Sequence, residues 1–276
     1  MAAPISGLSM RHDSTKTIDE YLEGVMSLHS RQHLPLHFEK DPLIPIDVIQ
    51  NLRSGRVDGD RAFDRVFPER LQLISFVQWS PIEVALTIAA WLKKDMPHAR
   101  FIDMGSGVGK LCLLLSLISD LRVTGVEQRE YLVEIARLIA KRNSIRAQFE
   151  HMNCLDVDWS AYDVFYFYNP FQEHVALGEF HLIDDKVDLD RKFHVEYTER
   201  VHQELSDMAQ GKRLITFHGF GGRIPRTLKL IRSARVGNGK LCMWEKISAA
   251  EFQNQREPEG NGTILAASSI AKETAQ

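Results

Sequence analysis

Nine residues, Phe101 to Gly109 (FIDMGSGVG), carry three alternating glycines behind a short apolar run that ends in an acid, Asp103. Glycine takes positive φ without steric cost and lets the backbone approach a ligand. Phe101 and Ile102 read as the end of a buried strand, and the following run, KLCLLLSLIS, reads as a helix. The glycines therefore open a helix whose first N–H groups lack partners and whose N-terminus carries partial positive charge. A turn of this kind suits an adenosine cofactor. Further along, Asn169-Pro170-Phe171 sets an amide beside a strand-breaking proline and an aromatic ring. An amide carbonyl can accept the N–H bonds of an amine and aim its lone pair. His218, ahead of Gly219-Phe220-Gly221-Gly222, places a candidate general base in a glycine-rich loop.

Spacing separates the cofactor classes. A dinucleotide fingerprint, G-x-G-x-x-G counted from Gly105, needs a third glycine where this chain has Lys110. The arrangement Asp103-x-Gly105-x-Gly107-x-Gly109 instead resembles motif I of the class I S-adenosylmethionine-dependent methyltransferases. The resemblance extends over roughly residues 79–248. It implies that Asp103 helps hold the ammonium side of S-adenosylmethionine and that Gly105, Ser106, Gly107 and Gly109 form the cofactor loop. Glu127, 22 residues beyond Gly105, ends the second strand. It suits a ribose-binding acid of either cofactor class, with Gln128 on the same wall. The resemblance also implies an acid or amide near the adenine amino group in the loop after strand three, where Asn153 is the candidate and Asp156 its alternative.

Asn169-Pro170-Phe171 resembles the Asn/Asp-Pro-Pro-Tyr/Phe motif of amide and amine N-methyltransferases with one proline missing. It also falls where non-SET histone-lysine methyltransferases carry an Asn followed by Phe. The resemblance implies a catalytic Asn169 that orients the acceptor, with Tyr168, Pro170, Phe171 and His218 lining the acceptor site. Trp79-Ser80-Pro81 either covers the cofactor or serves as staple and helix cap. The implied enzyme is a methyltransferase that works by direct in-line transfer, with nitrogen as the expected nucleophile. A protein side chain or small molecule is favoured as acceptor, and RNA is left open. A NAD-dependent oxidoreductase and a non-catalytic cofactor-binding module of the same fold are the alternatives.

These residues need a scaffold that presents strand ends to one another. From residue 99, strands at 100–104, 122–127, 147–152, 162–168 and 212–218 alternate with helices at 108–119 and 130–143. In the second of these helices Leu132, Ile135, Ala136 and Ile139 share a face. Such alternation predicts a parallel sheet with helices on both faces. Residues 234–236 and 240–246 flank Gly237-Asn238-Gly239, a hairpin signal. The expected fold is α/β: a Rossmann-like seven-stranded sheet, parallel except for a C-terminal antiparallel hairpin, with a helical N-terminal region. Helices are expected at 18–30, 46–52, 61–67 and 81–94, the last capped by Ser80. The division is a helical region over 1–95, a cofactor domain over 96–250 and a disordered tail over 251–276.

Composition narrows the class. With 276 residues, 44% hydrophobic content and a net charge of −3, the chain reads as an ordinary soluble globular protein without an overall basic excess. Cys112, Cys154 and Cys242 form neither a zinc spacing nor a disulfide framework, which points to a reducing cytoplasm. No metal is expected, and no membrane partner: the apolar run 111–118 is too short to span a bilayer. Residues 173–209 hold ten acids, four bases and four histidines and are read as an insert that forms a substrate lid. Residues 211–246 hold nine bases and one acid. They serve either an acidic partner or RNA, or form a solvated face balanced by the acidic insert.

Overall fold

The computed structural model describes residues 38, 40–57, 59–175, 187–237 and 239–254. The expected helix over 18–30, the tail beyond residue 254 and residues 176–186 of the acidic segment lie outside the described residues. Four helices come first: α1 (Ile46–Arg53), α2 (Asp60–Asp64), α3 (Glu69–Gln78) and α4 (Ile82–Leu92). Next come β1 (Arg100–Met104), α5 (Lys110–Ile118), β2 (Arg122–Glu127), α6 (Glu130–Arg142), β3 (Gln148–His151) and β4 (Val164–Phe167). The chain continues with α7 (Arg191–Asp207), β5 (Arg213–Phe217), β6 (Leu228–Val236), β7 (Gly239–Lys246) and α8 (Ala249–Asn254).

The strands form one sheet in the order β3-β2-β1-β4-β5-β7-β6. The pairs from β3 through β5 are parallel, and β7 runs antiparallel to both β5 and β6. The alternating pattern thus yields the expected seven-stranded sheet. The chain order reverses between β1 and β4, and an open α/β sheet binds ligands at the strand ends beside such a reversal. β1, β2, β4 and β5 are buried almost throughout, as expected for strands covered on both faces.

One apolar cluster joins α1 to α4, through Leu52, Phe63, Phe67, Leu71, Ile74 and Ile88, to Phe101 on β1, Leu113 on α5 and Ile139 on α6. A second cluster lies on the other face of the sheet and joins Ile102, Phe165 and Phe167 to Val201 and Leu205 of α7. The expected face of α6 is buried, and Cys112 is a core residue.

Four expectations are corrected. Glu69–Gln78 is helical although no helix was expected there. β6 begins at Leu228, six residues before the hairpin pattern suggested. Ser80 does not cap α4: its hydroxyl shares a 2.5 Å hydrogen bond with Tyr166 Oη, and Asp60 Oδ1 accepts the Ile82 N–H at 2.9 Å instead. The described C-terminal part of the acidic segment is no lid, because α7 buries Thr198, Val201 and Leu205 against the sheet.

Candidate functional site

The loop between β1 and α5 is held by β2. The N–H groups of Gly105 and Ser106 both donate to the Val126 carbonyl at 2.9 Å, and Gly109 N–H donates to Ser106 O at 2.8 Å. Gly105, Gly107 and Gly109 have φ of 89°, 54° and 74°, the left-handed region that glycine favours. Each also admits a neighbour that a Cβ would exclude. An ideal Cβ would lie 2.8 Å from Pro170 Cβ at Gly105, 2.2 Å from Trp79 Nε1 at Gly107 and 2.3 Å from the Phe149 ring at Gly109. The cofactor loop is thus packed against the acceptor turn, the Trp79 indole and β3 at once. Gly125, inside β2, makes room in the same way for the buried Ser106 hydroxyl, whose oxygen has no hydrogen-bond partner among the described residues.

Two acids are buried beside this loop. Glu127 Oε2 accepts the Gly107 N–H at 3.1 Å and Oε1 accepts the Arg129 N–H at 2.9 Å. Burial raises its carboxyl, against the pull of the Arg129 charge and those two N–H groups. Asp103 accepts the Cys112 thiol at 3.6 Å. Burial pushes its carboxyl up to about 7, with the negative Glu127 adding to the rise and the thiol opposing it. Two desolvated acids that resist carrying charge are suited to a cationic ligand, which would relieve that cost.

On the far side of the switch point, Asn169 takes φ of 40° and donates its N–H to Gly219 O at 2.9 Å. Its Nδ2 donates to Gln172 Oε1 at 3.2 Å. Its Oδ1 is buried without a hydrogen-bond partner among the described residues. Tyr168 donates its hydroxyl to Val77 O at 2.9 Å and lies against Phe217 and His218. The structure therefore brings Asp103, the glycine loop, Glu127, Pro170 and Asn169 together.

Other expected site residues are placed differently. The Phe171 ring is buried between Phe167 and Tyr197, so it supports the acceptor turn from beneath instead of lining a pocket. Asn153 accepts the Leu155 N–H at 2.9 Å and donates to Tyr197 Oη, so each end of its amide already has a partner. Gln128 is half-buried, and its backbone carbonyl faces His151 Nε2 at 3.1 Å. His218 is exposed and lies against the β6–β7 turn, where an ideal Cβ on Gly239 would meet its Nε2 at 2.4 Å.

The sequence reading missed three contributors. Arg129 is buried and joins Glu173, on the turn after Asn169-Pro170-Phe171, at 2.7 Å, with Glu127 at 3.9 Å. Lys110, used only to exclude a dinucleotide, is buried and paired with Asp60 at 2.7 Å and Asp64 at 2.8 Å. His194 of α7 approaches Gly221. A basic residue two positions after Glu127 and a lysine inside an apolar helix start were the available signals for the first two. Among the described residues the basic segment 211–246 makes ion pairs with Asp95, Glu245 and Glu251.

The family model for the histone methylation protein DOT1 matches residues 89–230, just over half of the chain. The chain belongs to the DOT1 family. It is accordingly an S-adenosylmethionine-dependent methyltransferase, and the nicotinamide alternative and the non-catalytic module fall away. The cofactor fits what the site shows: a glycine loop with positive φ at three positions, a buried Glu127 that can accept hydroxyls and a buried Asp103 suited to a cationic group. No curated protein matches the chain in sequence. Among solved structures, it is similar to an RNA methyltransferase from Salinibacter ruber in complex with S-adenosyl-L-homocysteine. That pair has 16% identity and a TM-score of 0.42 over 59% of this chain and 91% of that one. It is also similar to a methyltransferase from Pyrococcus furiosus (14%, TM-score 0.41, 60% and 85%). A third is an N-methyltransferase from Bradyrhizobium japonicum (12%, TM-score 0.40, 59% and 94%).

Proposed function

We propose that this DOT1-family enzyme methylates an amine nitrogen on a protein side chain, with basic, histone-like proteins as the acceptor class. The observation that carries this reading is Asn169 Oδ1, an acceptor buried without a partner on the turn that packs against Gly105 through Pro170. An unpaired buried acceptor costs about 1–3 kcal/mol, which an incoming N–H donor would recover. When bound, S-adenosylmethionine supplies an electrophilic methyl group on a sulfonium. Glu127 would accept the ribose hydroxyls, Asp103 would face the ammonium and the glycine loop would fix the cofactor. Asn169 would hold the acceptor N–H so that the nitrogen lone pair lies in line with the methyl carbon. The family's printed description, histone methylation, favours a protein over a small molecule or RNA. Three free cysteines fit a reducing compartment such as the cytoplasm.

The test is transfer from tritiated S-adenosylmethionine to purified core histones, to transfer RNA and to a metabolite extract, with mass spectrometry of the labelled product. Methyl-lysine in protein, abolished by Asn169→Ala, is the expected outcome. Label confined to RNA or to an oxygen atom would refute the reading.

A further inference from the structure

We propose that His194 accepts the proton that a protonated amine must lose before its nitrogen can be methylated, with Asn169 Oδ1 holding the amine beside it. This rests on the nitrogen-acceptor reading above. The geometry centres on Gly221, whose φ is +87°. An ideal Cβ there would lie 2.8 Å from His194 Nε2, 3.5 Å from Thr198 Cγ2 and 3.6 Å from Asn169 Oδ1. Two polar atoms, one from α7 and one from the turn after β4, thus lie against the same glycine, where a side chain would crowd them. Asn169 Oδ1 is an acceptor without a partner among the described residues. With its proton on Nδ1, an imidazole offers a second acceptor at Nε2, and an ammonium carries three N–H donors to satisfy both.

The step balances simply. One N–H bond of the ammonium breaks, its electron pair stays on nitrogen and the proton bonds to His194 Nε2. That pair then forms the bond to the methyl carbon while the carbon–sulfur pair stays on sulfur as a neutral thioether. The imidazolium afterwards returns its proton to water. His174 interacts electrostatically with His194 and has Glu173, Arg129 and Asp190 around it in turn, and its own ring lies against Tyr197. Burial holds His174 below the usual imidazole range, so it adds little positive charge near a cationic acceptor.

The test needs no knowledge of the natural acceptor. The probe is an S-adenosylmethionine analogue with nitrogen in place of sulfur and an aminoethyl arm in place of the methyl. Its parent carries only the methyl and serves as the control for folding. Calorimetry should show the arm tightening binding about tenfold or more. His194→Gln and His194→Ala should remove most of the gain, and Asn169→Ala should also remove it. A gain lost with Asn169→Ala but indifferent to both His194 variants would overturn the role of His194 and leave the nitrogen reading standing. No gain in the wild type would overturn both.

Discussion

Glu127 and Asp103 lie beside the same glycine loop, and their different surroundings lead to different expectations. Glu127 already accepts the Gly107 and Arg129 N–H groups, so it is held in place before any ribose arrives. Glu127→Ala should weaken S-adenosylmethionine binding by about 1–3 kcal/mol, the range for hydrogen bonds to a charged group. Unchanged affinity by calorimetry would remove Glu127 from the ribose site. Among the described residues Asp103 has only a thiol donor, and burial lifts its carboxyl from 3.8 to about 7. The folded protein therefore holds this proton where the unfolded chain has lost it. From this group alone, the ligand-free protein loses stability as pH rises from 3.8 through about 7. A cationic ligand prefers the ionised form, so cofactor affinity should fall below about pH 7, by up to about tenfold per unit. Calorimetry across that range should show this slope in the wild type and a flat, weaker profile in Asp103→Asn. The types of these residues were legible because an acid and alternating glycines fall within nine residues and a second acid ends the next strand. The purpose of each glycine was not, because Pro170, Trp79 and Phe149 lie far away in sequence and only the fold brings them to the loop.

At the scale of elements, α5 begins on a buried lysine, and this ties the cofactor loop to the N-terminal helices. Lys110 reaches Asp60 and Asp64 of α2 and donates to Ser75 Oγ of α3 at 3.1 Å. Asp60 also accepts the first N–H of α4. Burial raises the Asp64 carboxyl against the pull of Lys110, so Asp64 tolerates its site only with that partner. Lys110→Met should destabilise the fold by about 3–5 kcal/mol by leaving a buried carboxylate unpaired. Adding Asp64→Leu should restore much of that loss. Urea midpoints that do not differ between wild type and Lys110→Met would show that the cluster contributes nothing. The strands and the α6 helix were legible because burial on both faces writes long apolar runs and a clean helical stripe. α3 was not, because its apolar residues are spread around the helix: Leu71 and Ile74 are buried while Leu73 and Phe76 are exposed. α7 was hidden by its charge, since Thr198, Val201 and Leu205 are a sparse stripe among acids and bases.

For the whole molecule, the question is whether the N-terminal helices are an appendage or part of the enzyme. Among the described residues one core runs from Ile44 through Ile88 to Phe101, Leu113, Ile139 and Met243, so the helices share it with the sheet. Trp79 carries this continuity into the site: its indole packs against Phe67 on one side and closes over Gly107 on the other. Unfolding of the helices would therefore remove the cover of the cofactor loop, and cofactor binding should hold the helices in place. The chain should unfold in a single thermal transition. Saturation at about 100 times Kd should stabilise it by about 2.7 kcal/mol. At about 2–4 °C per kcal/mol for a chain of this size, the midpoint should rise by about 5–10 °C. Variants retaining only Trp79 or only Trp244 allow each half to be followed separately. Both fluorescence signals should share one midpoint and shift together with S-adenosylmethionine. A Trp79 transition that precedes the Trp244 transition and ignores the cofactor would make the N-terminal helices a separate unit, and would leave the cover over Gly107 without a part in binding.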